Sequence, residues 1–341
     1  KIQLPDFQRG WVWDDNRIKA LIASITNGYP VGAAMFLEYG NSSIHFKYRV
    51  IEGSPSVDKI PDELILDGQQ RLTSVYTSLF SENAVNTRTD KGQAIKRFYY
   101  IDMEKAIDKN IDRMDAIVSV PENRIKTSDF GRQIDIDLST SAKEYEKKMF
   151  PLNIILSPEK YNKWQMAYMQ YYNYDAEAAK LCMDFVSKVI VPVGKYTIPV
   201  ISLDKDTPKE AVCQVFENVN TGGVSLTVFE LVTAVFAMDN FELRKDWDNR
   251  KEKYFSGDLL SIITATDFLT ACTLLSSYKK GGTVSCKKKD VLDLTLNEYQ
   301  TYADTLCNGF IEAEKILEEE RIFSSRDLPY TTQLIPLAVL C

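Results

Sequence analysis

Leu64-Ile65-Leu66-Asp67-Gly68-Gln69-Gln70-Arg71-Leu72 changes character twice within nine residues. The apolar run Leu64–Leu66 suits a buried strand and Asp67-Gly68 a turn. The polar triplet Gln69-Gln70-Arg71 then opens an apolar, helix-compatible stretch ending near Phe80. This break puts unpaired backbone amides and the positive end of a helix dipole at the triplet, which suits a phosphate. Arg71 adds a planar, always-charged fork for phosphate or carboxylate oxygens. On the functional reading Gly68 allows close backbone approach, Gln69 and Gln70 line the ligand, and Asp67 holds Mg²⁺ or orients a water. The plainer alternative is a strand–turn–helix joint whose Gln and Arg side chains are solvated.

Upstream, residues 1–13 read as an extended lead-in with a turn at Gly10. Asp14 or Asp15 caps a helix with apolar positions Ile18, Leu21, Ile22 and Ile25, ended by Gly28 with Pro30 beyond. Val31 to Tyr39 predicts a strand. Ile44, Phe46, Tyr48 and Val50 alternate with polar residues as in a half-buried strand reaching Ile51, with His45 on the polar side. Downstream, strands are expected over Arg97–Asp102, Ile117–Val120 and Thr197–Leu203, and two aromatic-rich helical segments over 159–190. Residues 121–150 look polar and irregular. From 207 on, helices dominate, roughly at 207–219, 225–238, 240–254, 265–279, 290–320 and from 328. The expectation is an α+β chain: a mixed α/β region over 1–205 that carries the turn, then a helical region over 206–341 cut at its C-terminal end.

The 341 residues suffice for a sizeable core or two domains, with 45% apolar and 26% charged residues in an ordinary globular balance. No apolar run approaches the roughly 20 residues of a membrane span, and Lys1-Ile2-Gln3-Leu4-Pro5-Asp6 is no signal peptide. Neither end looks native: the chain lacks an initial Met and stops inside an apolar run at Leu340-Cys341. Six scattered cysteines without a CxxC pair, and one histidine, speak against zinc and against a disulfide framework. A reducing cytoplasm fits. A net charge of −7 excludes a nonspecific DNA-coating protein but leaves room for a local basic patch. Walker A, GxGxxG and GxSxG patterns are absent, which removes P-loop, Rossmann and serine-hydrolase readings, and nothing suggests haem or flavin.

Two further polar clusters interrupt apolar sequence. In Phe7-Gln8-Arg9-Gly10-Trp11-Val12-Trp13, Arg9 can hold phosphate while an aromatic face stacks on a base; equally, the aromatics can staple an N-terminal arm to the core. Phe216-Glu217-Asn218-Val219-Asn220-Thr221-Gly222-Gly223 ends one helix, and Ser225 or Thr227 with Glu230 caps the next. Structurally this is a helix–loop–helix joint; functionally, Asn218 and Asn220 offer amides to a base or ribose edge.

The three clusters occur in the order PDFQRGWVWDDNRIKALIASITNGYPVG, LILDGQQRLTSVYTSLF and FENVNTGGVSLTVFELVTAVF. Together they resemble the N-terminal, DGQQR-motif domain of GmrSD-type modification-dependent restriction proteins, related to the ParB/sulfiredoxin fold. The resemblance implies a module that binds and hydrolyses a nucleoside triphosphate (GTP or ATP, with Mg²⁺) in prokaryotic defence against phage or modified DNA. It implies a catalytic turn at Asp67, Gln70 and Arg71, with Asp67 the Mg²⁺ candidate. Nucleotide contacts would come from Gln8, Arg9, Gly68 and Gln69, and from Asn218, Asn220 and Thr221. Family members usually continue into an HNH-type nuclease; no such His-rich motif is present, so cutting would belong to a domain or partner outside this sequence. Two rivals remain: a non-catalytic DNA-binding module that reads a modification, and a ParB-like nuclease acting through the same turn.

Overall fold

The computed structural model describes residues 2–6, 8, 10–40, 46–55, 59–129, 132–208, 211–212, 214–215 and 227–341, the Met238 side chain excepted. The chain divides into two compact units: residues 1–4, 9–36 and 49–202, and residues 5–8, 37–48 and 203–341. Sheets fall in the N-terminal half and the C-terminal half is mostly helical, an α+β chain.

From the N-terminus run β1 (Ile2–Pro5), α1 (Asp15–Thr26), β2 (Ala34–Glu38), β3 (Tyr48–Arg49), β4 (Glu63–Asp67) and α2 (Gln69–Leu79). Then come β5 (Val85–Arg88), β6 (Ala94–Asp102), α3 (Met103–Ile107), α4 (Arg113–Ala116) and β7 (Ile117–Pro121). Next are β8 (Ile125–Ser128), β9 (Gln133–Asp137), α5 (Ser141–Glu146), β10 (Met149–Pro151), α6 (Pro158–Tyr171) and α7 (Ala176–Phe185). α8 (Val191–Gly194) and β11 (Val200–Leu203) complete this half. One sheet has the order β11-β2-β4-β1-β3, and its β1 and β4 are parallel, with Ile2 opposite Glu63 and Gln3 opposite Leu64. In a second sheet β6 pairs antiparallel with β5, β7 and β10.

α1 forms as its sequence dictates. Asp14 accepts from the Arg17 amide, Ile18, Leu21, Ile22 and Ile25 are buried, and Gly28 takes φ 72° just past the end. These side chains join Leu79, Tyr99, Ile101, Phe150, Trp164, Tyr168 and Phe185 in the main core. The aromatics of α6 are therefore packing residues, with Trp164 and Tyr168 stacked at 5.3 Å.

Several expectations need correction. The 121–150 stretch is not irregular: it holds the β8–β9 hairpin, α5 and β10. β8 and β9 are mostly exposed, although Ile134, Ile136 and Leu138 alternate with Asp135 and Asp137 as in a strand. α5 is anchored by a buried polar group, since the Glu144 carboxylate accepts from Tyr100 Oη at 2.9 Å and Trp164 Nε1 at 3.0 Å, with Arg124 at 3.5 Å. Burial raises the Glu144 pKa, and those donors oppose the shift. The strand expected from Val31 begins only at Ala34, and that expected over Ile44–Ile51 is confined to Tyr48–Arg49, with 44–45 outside the described residues.

In the second unit, α9 (Val228–Phe236), α10 (Leu243–Tyr254), α11 (Ala265–Lys280), α12 (Lys288–Leu292), α13 (Leu296–Glu319) and α14 (Leu334–Leu340) follow. The helix expected over 290–320 is two, because Thr295 caps α13 in a capping box with Glu298. Trp247, Phe255, Phe268, Tyr299 and Phe310 form an aromatic core, with Trp247–Phe268 at 5.3 Å and Phe255–Phe310 at 5.4 Å. α13 and α14 touch at Gly309, where an added Cβ would lie 2.2 Å from the Ala338 carbonyl oxygen.

Glu298 ties α11 to the start of α13. Burial works against its charge, but hydrogen bonds from Lys280, the Thr295 amide and Ser276 outweigh it and hold the pKa at about 2. A depressed carboxyl pKa contributes stability above its unfolded value of about 4.3 and loses it as the pH falls toward 2. Glu298→Gln should remove a contribution on the order of 3 kcal/mol at neutral pH. Denaturant melts at pH 7 and pH 2.5 check this: the variant should lose less stability on acidification than the parent.

Candidate functional site

β4 is buried at Leu64, Ile65 and Leu66, and it stops because Gly68 turns at φ 90°. Gly68 is the N-cap of α2, and no side chain caps the helix there; the Leu72 amide is the first to bond back, to Gly68 O at 2.9 Å. A Cβ on Gly68 would lie 3.3 Å from Ala34 Cβ and 3.4 Å from its Cα, in a conformation that L-residues resist. Glycine is required at this turn.

The segments that follow β1 and β4 leave the C-terminal ends of neighbouring parallel strands, where open α/β sheets hold their ligands. Gln70 joins them. Its Oε1 accepts from the Val12 amide at 2.9 Å and its Nε2 donates to Gly10 O at 3.1 Å, a pairing like that of a neighbouring strand. Trp11 is fixed in between: its amide donates to Glu52 Oε1 at 3.0 Å and its Nε1 to Ser74 Oγ at 3.0 Å. Ser74 Oγ in turn donates to Gln70 O at 2.7 Å, and Arg49 Nη1 donates to Glu52 Oε1 at 3.1 Å.

Arg71 points into the loop between α1 and β2. Its Nη1 donates to Val31 O at 2.7 Å, and its Nη2 to Ala33 O at 2.8 Å and Asp67 Oδ2 at 2.9 Å. Gly32, at φ 87°, makes room: a Cβ there would sit 2.5 Å from Arg71 Nη1. Three guanidinium N–H bonds thus go to the chain itself, and the Arg71 charge is met by Asp67 and two carbonyl dipoles. The side chain works as a brace across the loop.

The structure therefore brings Asp67, Gly68, Gln70 and Arg71 together with Gly10–Val12 and Val31–Ala33. Gln69 is buried, 7% exposed. Gln8 falls in the second unit, its amide donating to Pro5 O at 3.2 Å. Arg9, Asn218, Asn220 and Thr221 lie outside the described residues, as does His45. Sequence reading missed Val31, Gly32, Ala33, Glu52 and Ser74. Only Gly32, placed between Pro30 and a strand, carried a usable signal. Among the described residues no group of three or more His, Cys, Asp or Glu is placed to hold a metal, and no helix is long and apolar enough to cross a membrane.

Residues 1–237, which include all three polar clusters, match the family model described as the GmrSD restriction endonuclease, N-terminal domain. An uncharacterized protein of Methanocaldococcus jannaschii is 26% identical over 307 residues, covering 86% of this chain and 49% of that protein. The chain spans about half the length of that curated relative. The match over 1–237, which contains the whole Asp67–Arg71 turn, establishes that the chain belongs to the family of GmrSD restriction endonuclease N-terminal domains.

Proposed function

We propose that the chain is the nucleotide-binding and NTP-hydrolysing module of a prokaryotic restriction system, and that hydrolysis gates a nuclease domain or partner acting on modified or foreign DNA. The observation that carries this reading is the first turn of α2. It is an eleven-residue helix with no side-chain cap, it starts at a glycine at the C-terminal ends of two parallel strands, and Gln70 and Arg71 brace it from two sides. Amides in that setting favour a phosphate.

Mg²⁺ fits this donor set in its usual way, through one or two carboxylates plus substrate phosphates and waters. Asp67 gives Oδ2 to Arg71 and has Oδ1 left for the ion. When bound, the ion supplies charge stabilisation at the transferring phosphoryl group. Gly68 and the first-turn amides bind phosphate. Gln70 and Arg71 are positioning residues, holding Gly10–Val12 and Val31–Ala33 in place. The family resemblance adds Gln8, Arg9, Asn218, Asn220 and Thr221 as further candidates for nucleotide contact.

Phosphate release from GTP and ATP with Mg²⁺, followed for the parent and Asp67→Asn, tests the proposal. Turnover by the parent should fall about 100-fold or more in the variant. No NTP binding by the parent, or unchanged turnover in Asp67→Asn, overturns it. Tight, steeply salt-dependent DNA binding without NTP affinity would put a DNA-reading module in its place.

A further inference from the structure

The segment that Gln70 holds leads to a second feature. From Gly10 it runs to Trp13, whose carbonyl accepts from Thr87 Oγ1 of β5 at 2.8 Å. Here lies a cavity of about 210 Å³ lined by Trp11, Trp13, Asn86, Thr87, Arg88 and the hairpin residues Gly92 and Ala94. All of these belong to the first unit.

The volume limits the occupant. It exceeds the roughly 30 Å³ share of one water severalfold, yet falls below the roughly 300–1,000 Å³ of pockets that enclose drug-sized ligands. One flat ring system fits; a whole nucleotide does not. The lining suits such a ring. Trp11 spends its Nε1 on Ser74 and so contributes its ring alone, and aromatic surfaces stack on any nucleobase. Exposed Asn86 carries both an amide donor and an acceptor, the pair that reads a base edge. β5 stands at the end of its sheet order, so the cavity opens at a sheet edge. Three residue steps lead from Gly10, held by Gln70, to Trp13; that is at most about 11 Å, a span one nucleoside triphosphate can bridge.

We propose that this cavity is the base subsite of the nucleotide whose phosphates sit at the Asp67–Arg71 turn. Trp11 and Trp13 stack the base and Asn86 reads its edge. The assignment rests on the nucleotide reading above and adds to it a hairpin, β5–β6, that none of the three sequence clusters includes.

Binding of GTP, ATP, inorganic tripolyphosphate and a short single-stranded oligonucleotide to the full chain, measured calorimetrically, tests it. Trp13→Ala should weaken the preferred NTP about 5- to 100-fold, and Trp13→Phe should regain most of that loss. Asn86→Ala should narrow the discrimination among NTPs. Tripolyphosphate affinity should stay the same throughout. If the parent binds NTP and both Trp13→Ala and Asn86→Ala bind it as tightly, the subsite is wrong while the nucleotide reading stands. If the parent binds neither NTP nor tripolyphosphate, both fall. If the variants lose only oligonucleotide, the cavity takes a base of nucleic acid and the mononucleotide assignment is overturned. Trp13 packs against the main core, so should Trp13→Ala fail to fold, exposed Asn86 carries the test alone.

Discussion

Arg71→Ala is expected to abolish NTP turnover and to destabilise the first unit by about 2–4 kcal/mol, a fall of about 4–16 °C in its melting temperature. The change strips donors from Val31 O, Ala33 O and Asp67 Oδ2 together. Partial exposure, 20% for Arg71 and 32% for Asp67, keeps the loss below that of a fully enclosed ion pair. Arg71→Lys should recover little, since an ammonium cannot reproduce a planar fork that meets two carbonyls and a carboxylate. Gly32→Ala separates bracing from charge. It leaves the arginine in place but drives a methyl to 2.5 Å from Nη1, so under the bracing role it should also lose turnover. A parent-like melt for Arg71→Ala, or full turnover in Gly32→Ala, would sink the bracing role.

Gly309→Val is expected to cost the second unit about 3 kcal/mol or more, a large fraction of an ordinary domain stability of roughly 5–15 kcal/mol. Two effects compete at this position. Glycine inside a helix is normally about 1 kcal/mol worse than alanine, so a side chain should help α13 by itself. The added Cβ, however, would meet the Ala338 carbonyl at 2.2 Å, and a backbone oxygen of α14 cannot swing aside like a flexible side chain. Overpacking costs typically 1–3 kcal/mol, so the clash wins over propensity even for Gly309→Ala, and valine adds bulk and χ1 restriction. Thermal melts of both variants decide the matter; an alanine variant that melts at or above the parent refutes the close-approach argument.

Local signals made much of this legible. The Leu64–Leu66 run, the Asp67-Gly68 turn and the helix to Leu79 could be read because each depends on neighbours within a few residues, as could the capped α1. The Thr227 and Glu230 capping box was readable for the same reason. What stayed hidden is backbone-mediated. No side chain advertises that the Val31 and Ala33 carbonyls will face an arginine about 40 residues later, and that use is why β2 cannot begin at Val31. Arg71, read as a fork for a ligand, gives three of its N–H groups to the chain itself. Gln69, read as a ligand wall, is buried beside an equally polar neighbour that is not. In the β8–β9 hairpin the signal was short, the Ile134-Asp135-Ile136-Asp137 alternation in an otherwise polar stretch, and Glu144 escaped because a buried carboxylate needs donors from β6 and α6 that are distant in sequence.

The parallel pairing of β1 with β4 also has a meaning in polymer terms. Gln70 reaches back 58 residues to Val12 and 60 to Gly10. Closing a free loop of that length is entropically expensive, growing as (3/2)RT ln n. Once Gln3 stands opposite Leu64, however, only roughly a dozen residues remain to be closed, which lowers the cost by about 1.4 kcal/mol. Gln70 thus behaves as a cheap non-covalent crosslink that two hydrogen bonds can hold shut. The same logic explains why the Gly10–Val12 segment and the Asp67–Arg71 turn lie just beyond paired strands: the sheet does the long-distance work of bringing the two ends together, and the Gln70 side chain only has to latch them.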